Sequence, residues 1–206
     1  KEYTNSKGIK IIGDLPIYVA THSADTWQNP KLFCFDKHLK IKSVAGCPPD
    51  YFSKTGQLWG NVLYDWKEME RTNYSWWINR IKHSFLLYDI LRLDHFRGFA
   101  SYWSIRYGEK TAINGKWEKG PRYQFFKKLE SKIPNMDIVA EDLGTLTADV
   151  FKLLEQTKYP NMKVLEFGLA ESDNMYHPRN YPENSVAYTG THDNMPIVEW
   201  YETLNE

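Results

Sequence analysis

Residues 89–98 read DILRLDHFRG. Side chains of a strand alternate between its two faces, so Ile90, Arg92 and Asp94 share one face while Leu91 and Leu93 share the other. If the leucines pack on helices, as in a parallel α/β barrel, Arg92 and Asp94 point inward at the carboxyl end of the strand, where such barrels build active sites. An arginine two residues away can hold Asp94 ionised, which a nucleophile requires. The same pair also reads as a buried structural ion pair.

Working outward, further β-like runs at 9–14, 137–141, 163–167 and 185–190 are separated by helical patterns, the sign of strand–helix–strand units on a parallel sheet. Trp77, Ile78, Ile81 and Phe85 fall at helical spacing with Arg80, Lys82 and His83 between them, which predicts a helix over 73–88. Val150, Leu153 and Leu154 predict a second over 147–157, with Thr147 as N-cap and Asp149 in its first turn. A third pattern covers 122–132. The expected class is α/β. Two segments fit neither period: 27–70, rich in Pro, Gly and aromatics, and 171–184, polar with Pro178 and Pro182. Loops of that length in a compact domain are usually functional or disordered, and the aromatics favour function. Five strands are too few to close a barrel, so residues 1–206 are expected to be one domain truncated at both ends.

Composition narrows the ligand. The 26 basic and 26 acidic side chains cancel, which removes any global pull toward nucleic acid or anionic lipid. Neutral partners are expected, with no nucleic acid and no membrane. Aromatics make up 16% of the chain, including 8 Trp and 14 Tyr; rings of this kind serve either as core or as binding faces. Cys34 and Cys47 match no metal or redox spacing, which fits reduced thiols in the cytoplasm. No apolar run approaches the roughly 18 residues of a membrane span.

Two more strand ends carry acids. Residues 137–144, DIVAEDLG, place Glu141 on the face of Val139 and Asp142 on the opposite one. A glutamate ending an apolar strand can have its pKa raised by desolvation, which suits a general acid; it also reads as a solvated turn residue. Residues 188–194, YTGTHDN, run a strand end through a glycine into His192, Asp193 and Asn194. Asp193 can stabilise a developing positive charge, or the cluster can cap the helical pattern at 196–204. His95 and His192 lie far apart and no HExxH or comparable spacing is present, so no metal is expected. A GxSxG elbow, GxGxxG and a P-loop are absent as well, so no cofactor is expected, and three acids at successive strand ends point to glycosyl chemistry.

DLPIYVA (14–20), GCPPDYFSKTGQLWGN (46–61), RLDHFRG (92–98), AEDLG (140–144) and YTGTHDN (188–194) together resemble the 4-α-glucanotransferases of glycoside hydrolase family 77, the amylomaltases or disproportionating enzymes. The resemblance extends over essentially the whole chain and implies a retaining double displacement on α-1,4-glucans in a (β/α)₈ TIM barrel, of which about five strands are present. It implies Asp94 as nucleophile, Glu141 as general acid and base, and Asp193 as transition-state stabiliser. The two carboxyls of a retaining pair lie about 5–5.5 Å apart. Asp14, Arg92, His95 and His192 match positions that hold the sugar at the cleavage point. Asp50, Tyr51, Phe52, Gln57 and Trp59 match the segment arching over the groove, which makes 27–70 a substrate-groove insertion. Its rings would stack on glucose units and exclude water, favouring transfer over hydrolysis. His22, Val62 and Glu166 depart from the family pattern, where an acid, Pro and Gln are usual. The activity implied is that of a 4-α-glucanotransferase acting on maltooligosaccharides, with an α-glucan hydrolase or an inactive glucan-binding fragment as alternatives. The isolated chain is expected to be inactive, because open sheet edges and uncovered faces are costly.

Overall fold

A computed structural model describes residues 1–50, 53–169 and 174–204. Its centre is a five-stranded parallel sheet built from β1 (Ile12–Leu15), β4 (Ile90–Leu93), β7 (Ile138–Ala140), β8 (Asn161–Val164) and β9 (Ser185–Tyr188), in the order β1-β4-β7-β8-β9. All five lie within one to three residues of the expected runs. The largest shifts are at β1, where a helix, α1 (Glu2–Ser6), and a turn through Gly8 at φ +76° take up the first residues, and at β8, whose last expected residues form a 3-10 turn, Leu165–Phe167.

Helices follow the 3.6 period. Over 75–87, α4 (Ser75–Leu87) buries Trp77, Ile78 and Ile81 and packs on β1 and β4. Leu91 and Leu93 are buried on the outer face. The third pattern is α5 (Arg122–Glu130), burying Phe125, Phe126 and Leu129, and the second is α6 (Ala148–Thr157), burying Val150 and Leu153. Thr147 precedes α6 in extended conformation, but its hydroxyl donates to Asp149 Oδ1 at 2.5 Å and caps no backbone N–H. The 196–204 pattern is α7 (Ile197–Thr203).

The expected long loop over 27–70 is corrected. That segment holds the end of α2 (Ala24–Gln28), a 3-10 turn at Pro30–Leu32, β2 (Ser43–Cys47), β3 (Gln57–Val62) and α3 (Trp66–Arg71). Strands β2 and β3 join β5 (Ser101–Arg106) and β6 (Lys116–Lys119) in an antiparallel sheet ordered β3-β2-β5-β6. These strands are short and bury no clean alternating face, and β2 pairs with β5 across some 60 positions (Ser43↔Arg106), so local periodicity carries no sign of the pairing. Most of the rings that composition left unplaced are core. Trp77, Phe96, Phe99, Phe125 and Phe126 are fully buried, and Phe99 stacks on Phe125 at 5.2 Å.

Cys34 and Cys47 are free thiols. Among the described residues no helix is long and apolar enough to cross a membrane. The parallel sheet matters most for what it does at one edge: five strands running the same way deliver five carboxyl ends side by side, and the residues just beyond them face one another.

Candidate active site

Register places the first polar pair. Asp14 on β1 is the direct partner of Arg92 on β4, which is partnered in turn by Val139 on β7. All three therefore share a face, and Asp94 and Glu141 lie one pleat repeat further on. Arg92 Nη1 donates to Asp14 Oδ1 at 2.6 Å and to Asp94 Oδ1 at 3.0 Å, while its Nε donates to Met162 Sδ at 3.4 Å. The guanidinium is buried and bridges two carboxylates from neighbouring strands through one nitrogen, Nη1, while its Nε reaches a third strand.

Asp94 was expected to be held ionised by Arg92. The guanidinium does pull the carboxyl down, but burial pushes it up by more, with Asp14 and Asp193 adding to the rise, so the net direction is upward. The side chain keeps 37% of its surface exposed, so desolvation is partial. Arg92 moderates that rise; it does not depress the carboxyl below its ordinary range.

Glu141 is 7% exposed, which removes the solvated-turn reading. Its Oε2 accepts the His95 N–H at 2.6 Å and its Oε1 the Leu143 N–H at 2.7 Å. Its carboxyl is pushed up from 4.5 to about 7, first by burial and second by the Asp94 charge, against the pull of those two N–H groups and Arg92. The electrostatic influence of Asp94 on Glu141, and of Asp193 on Asp94, ties the three acids into one cluster.

His95 sits in left-handed conformation, φ 50°. For a residue with a side chain this costs roughly 1–2 kcal/mol, and it turns the amide toward Glu141. The ring meets Trp59 edge-on at 4.7 Å. Burial, with Arg97 nearby, pushes the imidazole down to about 3, so it is neutral at ordinary pH. Trp59 Nε1 in turn donates to Gln57 Oε1 at 3.0 Å.

The remaining expected residues are less tightly drawn in. Asp50 accepts the Ser53 N–H at 2.8 Å and so shapes the turn after β2. Both Asp50 and Glu141 help to raise Cys47, which puts this turn near the cluster. Tyr51 and Phe52 lie outside the described residues. His192 Nε2 is 3.5 Å from Asp193 Oδ2, and both side chains are largely exposed. Asp193 caps no helix: α7 begins only after Pro196, and the turn is closed by Asn194, whose Oδ1 accepts from Thr191 N and Oγ1.

Sequence reasoning passed over Met162, whose parity on β8 could have marked it as facing Arg92. It also took Glu166 only as a departure from a pattern. Glu166 stands in the 3-10 turn after β8, and its Oε1 lies so close to Gly190 that a Cβ there would sit 2.5 Å away.

A glycoside hydrolase 77 family model, described as 4-alpha-glucanotransferase, matches residues 1–206. The chain belongs to this family. A 4-alpha-glucanotransferase of Clostridium butyricum is 54% identical over 98% of this chain and 42% of its own length. One of Aquifex aeolicus is 50% identical over all of this chain and 42% of its own. Among solved structures, an amylomaltase from Streptococcus agalactiae in complex with acarbose superposes with a TM-score of 0.96 at 44% identity, over 99% of this chain and 42% of that one. The chain thus spans about two-fifths of the length of these relatives. The motifs that the glucanotransferase family was expected to share, from 14–20 to 188–194, all fall within the matched span.

Proposed function

We propose that the chain carries the catalytic centre of a 4-α-glucanotransferase, its five parallel strands forming an arc of a (β/α)₈ barrel and residues 27–70 a wall of the substrate groove. The observation that carries this reading is Glu141: a buried carboxyl raised to about 7, beside a second carboxyl that is one of the causes of the rise. In the resting enzyme Glu141 is about half protonated near pH 7 and more fully so below it, and the protonated form donates its proton to the glycosidic oxygen as Asp94 attacks the sugar C1. The bond to the leaving sugar breaks with its electron pair going to that oxygen, and Asp94 becomes a neutral glycosyl ester. The Asp94 charge that helped raise Glu141 then vanishes, while the His95 and Leu143 N–H groups still favour the Glu141 carboxylate. Its affinity for a proton falls. Released as a base, it takes the proton from an incoming hydroxyl, which displaces Asp94 and closes the cycle with retention.

Asp193 offsets positive charge on the ring carbon in both transition states, and Asp14 with Arg92 holds Asp94 and the sugar in line. Neutral His95 and the exposed His192 offer hydrogen bonds to sugar hydroxyls, and Trp59 offers an apolar face. Asp50 and Gln57 belong to the same groove wall in this reading, and Tyr51 and Phe52 are assigned to sugar binding by the family motif alone. The amylomaltase solved with acarbose supports an oligosaccharide ligand.

Incubation of the complete protein with maltotriose tests the proposal. Glucose and maltooligosaccharides longer than three units should both appear, and Asp94→Ala or Glu141→Ala should abolish both. Short sugars without longer ones would indicate hydrolysis instead, and an active Asp94→Ala protein would refute the assignment of the nucleophile.

A further inference from the structure

Asp142 is completely buried, faces away from the carboxylate cluster, and takes no part in the glycosyl transfer itself. It stands where the sheet is weakest. Strands β7 and β8 share a single register pair, Ala140↔Asn161, whereas β1–β4 and β8–β9 each share four. Just beyond that pair the Asp142 carboxylate reaches across to β8: Oδ1 accepts the Met162 N–H at 2.8 Å and Oδ2 the Asn161 Nδ2 at 3.2 Å. Lys163 Nζ lies 3.7 Å from Oδ2, and both side chains are almost wholly inaccessible to solvent, at 2% and 0%. Nζ has no hydrogen-bond partner among the described residues and rests over the buried Tyr176 ring at 5.3 Å. A lysine buried this deeply is stable only beside an opposite charge, and among the described residues Asp142 is the anion within reach.

Two arms of the active site hang on this clasp. Glu141 precedes Asp142 in the chain, so fixing one carboxylate on the outer face fixes the other on the inner. Met162, whose amide Asp142 holds, presents the sulfur that receives Arg92 Nε, and Arg92 grips Asp14 and Asp94.

We infer that Asp142 is the positioning residue of this site: by clasping the carboxyl end of β7 to β8 it sets the placement of Glu141 directly and that of Asp94 through Met162 and Arg92. The inference rests on the acid–base reading of Glu141.

The test uses Asp142→Asn, Asn161→Ala and Glu141→Gln in the complete protein, each assayed for kcat and KM on maltotriose, the pH dependence of kcat/KM, and thermal midpoint. Asparagine keeps the shape of the clasp but removes its charge and one acceptor. Displacing a reacting group by about 1 Å costs on the order of a hundredfold in rate, so kcat of Asp142→Asn should fall by roughly ten- to a hundredfold with KM little changed. The basic limb of the pH profile should also move. The charged and titratable groups facing Glu141 are Asp94 and Arg92, with Tyr176 and Cys47 near enough to feel its charge, and none of these is altered. Asn161→Ala removes one contact and should show the same split to a smaller degree; if Asp142→Asn does not fold, this variant decides. A lowered thermal midpoint with unchanged kcat and an unmoved basic limb in the folded variants would make Asp142 purely structural and overturn the inference. An active Glu141→Gln protein would overturn the reading of Glu141 itself, which separates that failure from this one.

Discussion

Glu141 holds its proton more tightly in the folded chain than in the unfolded one, and this has opposite effects on catalysis and stability. An acid raised from 4.5 to about 7 contributes stability that is whole below about pH 4.5 and is lost as pH rises through about 7, worth about 3 kcal/mol at most. Glu141→Gln should therefore leave the complete protein inactive yet more stable than wild type at pH 8, with the gain shrinking toward pH 5. Thermal midpoints of the two proteins across that range check it; equal midpoints throughout would mean that the carboxyl is not raised. The acids were legible at this scale, because strand parity alone puts Arg92 with Asp94 and Glu141 with Val139. The left-handed turn at His95 was not legible, since nothing in LDHFR distinguishes an αL histidine from an extended one.

Helices advertised themselves in the sequence, while their caps and the second sheet did not. Apolar period 3.6 marks α4, α5 and α6 because each buries one stripe of its surface, α4 against the parallel sheet and α5 and α6 beside each other. Strands β2, β3, β5 and β6 are held by partners distant in the chain, so composition made 27–70 look like a loop. The caps give a direct test. Asp65 Oδ1 accepts the Glu68 N–H at 3.1 Å at the start of α3, inside that supposed loop. The hydroxyl of Thr147, the expected cap, donates to the Asp149 carboxylate and caps no backbone N–H. Asp65→Ala should cost about 1 kcal/mol of stability and Thr147→Ala less than about 0.5 kcal/mol, as read by denaturant or thermal unfolding. The reverse order would contradict the observed capping.

Across the whole molecule, aromatic packing joins what the two sheets leave separate. Trp77 on α4 touches Tyr64, Trp66, Phe99 and Phe125 at centroid distances of 5.6, 6.4, 5.5 and 5.5 Å. It therefore connects the helix on the parallel sheet to α3, α5 and the turn after β4. Trp77→Ala should cost about 3–5 kcal/mol. Trp77→Phe should cost less than half as much, because the buried Nε1 has no hydrogen-bond partner to lose among the described residues. Similar losses for both would show that the indole edge fills space no smaller ring can. Composition announced many rings, but only the assembled fold could say that they are mostly core, with Trp59 turned toward the site.

Besides the charge of Arg92, two amides steady the Glu141 carboxylate, those of His95 and Leu143, and both are parts of the main chain. Every amino acid except proline carries an identical amide. In the proposed reaction, substitution at 95 or 143 by any residue but proline therefore keeps the N–H groups on which half of the acid-to-base switch depends. Under the proposed mechanism, this part of the chemistry is thereby insulated from variation in the side chains at these two positions.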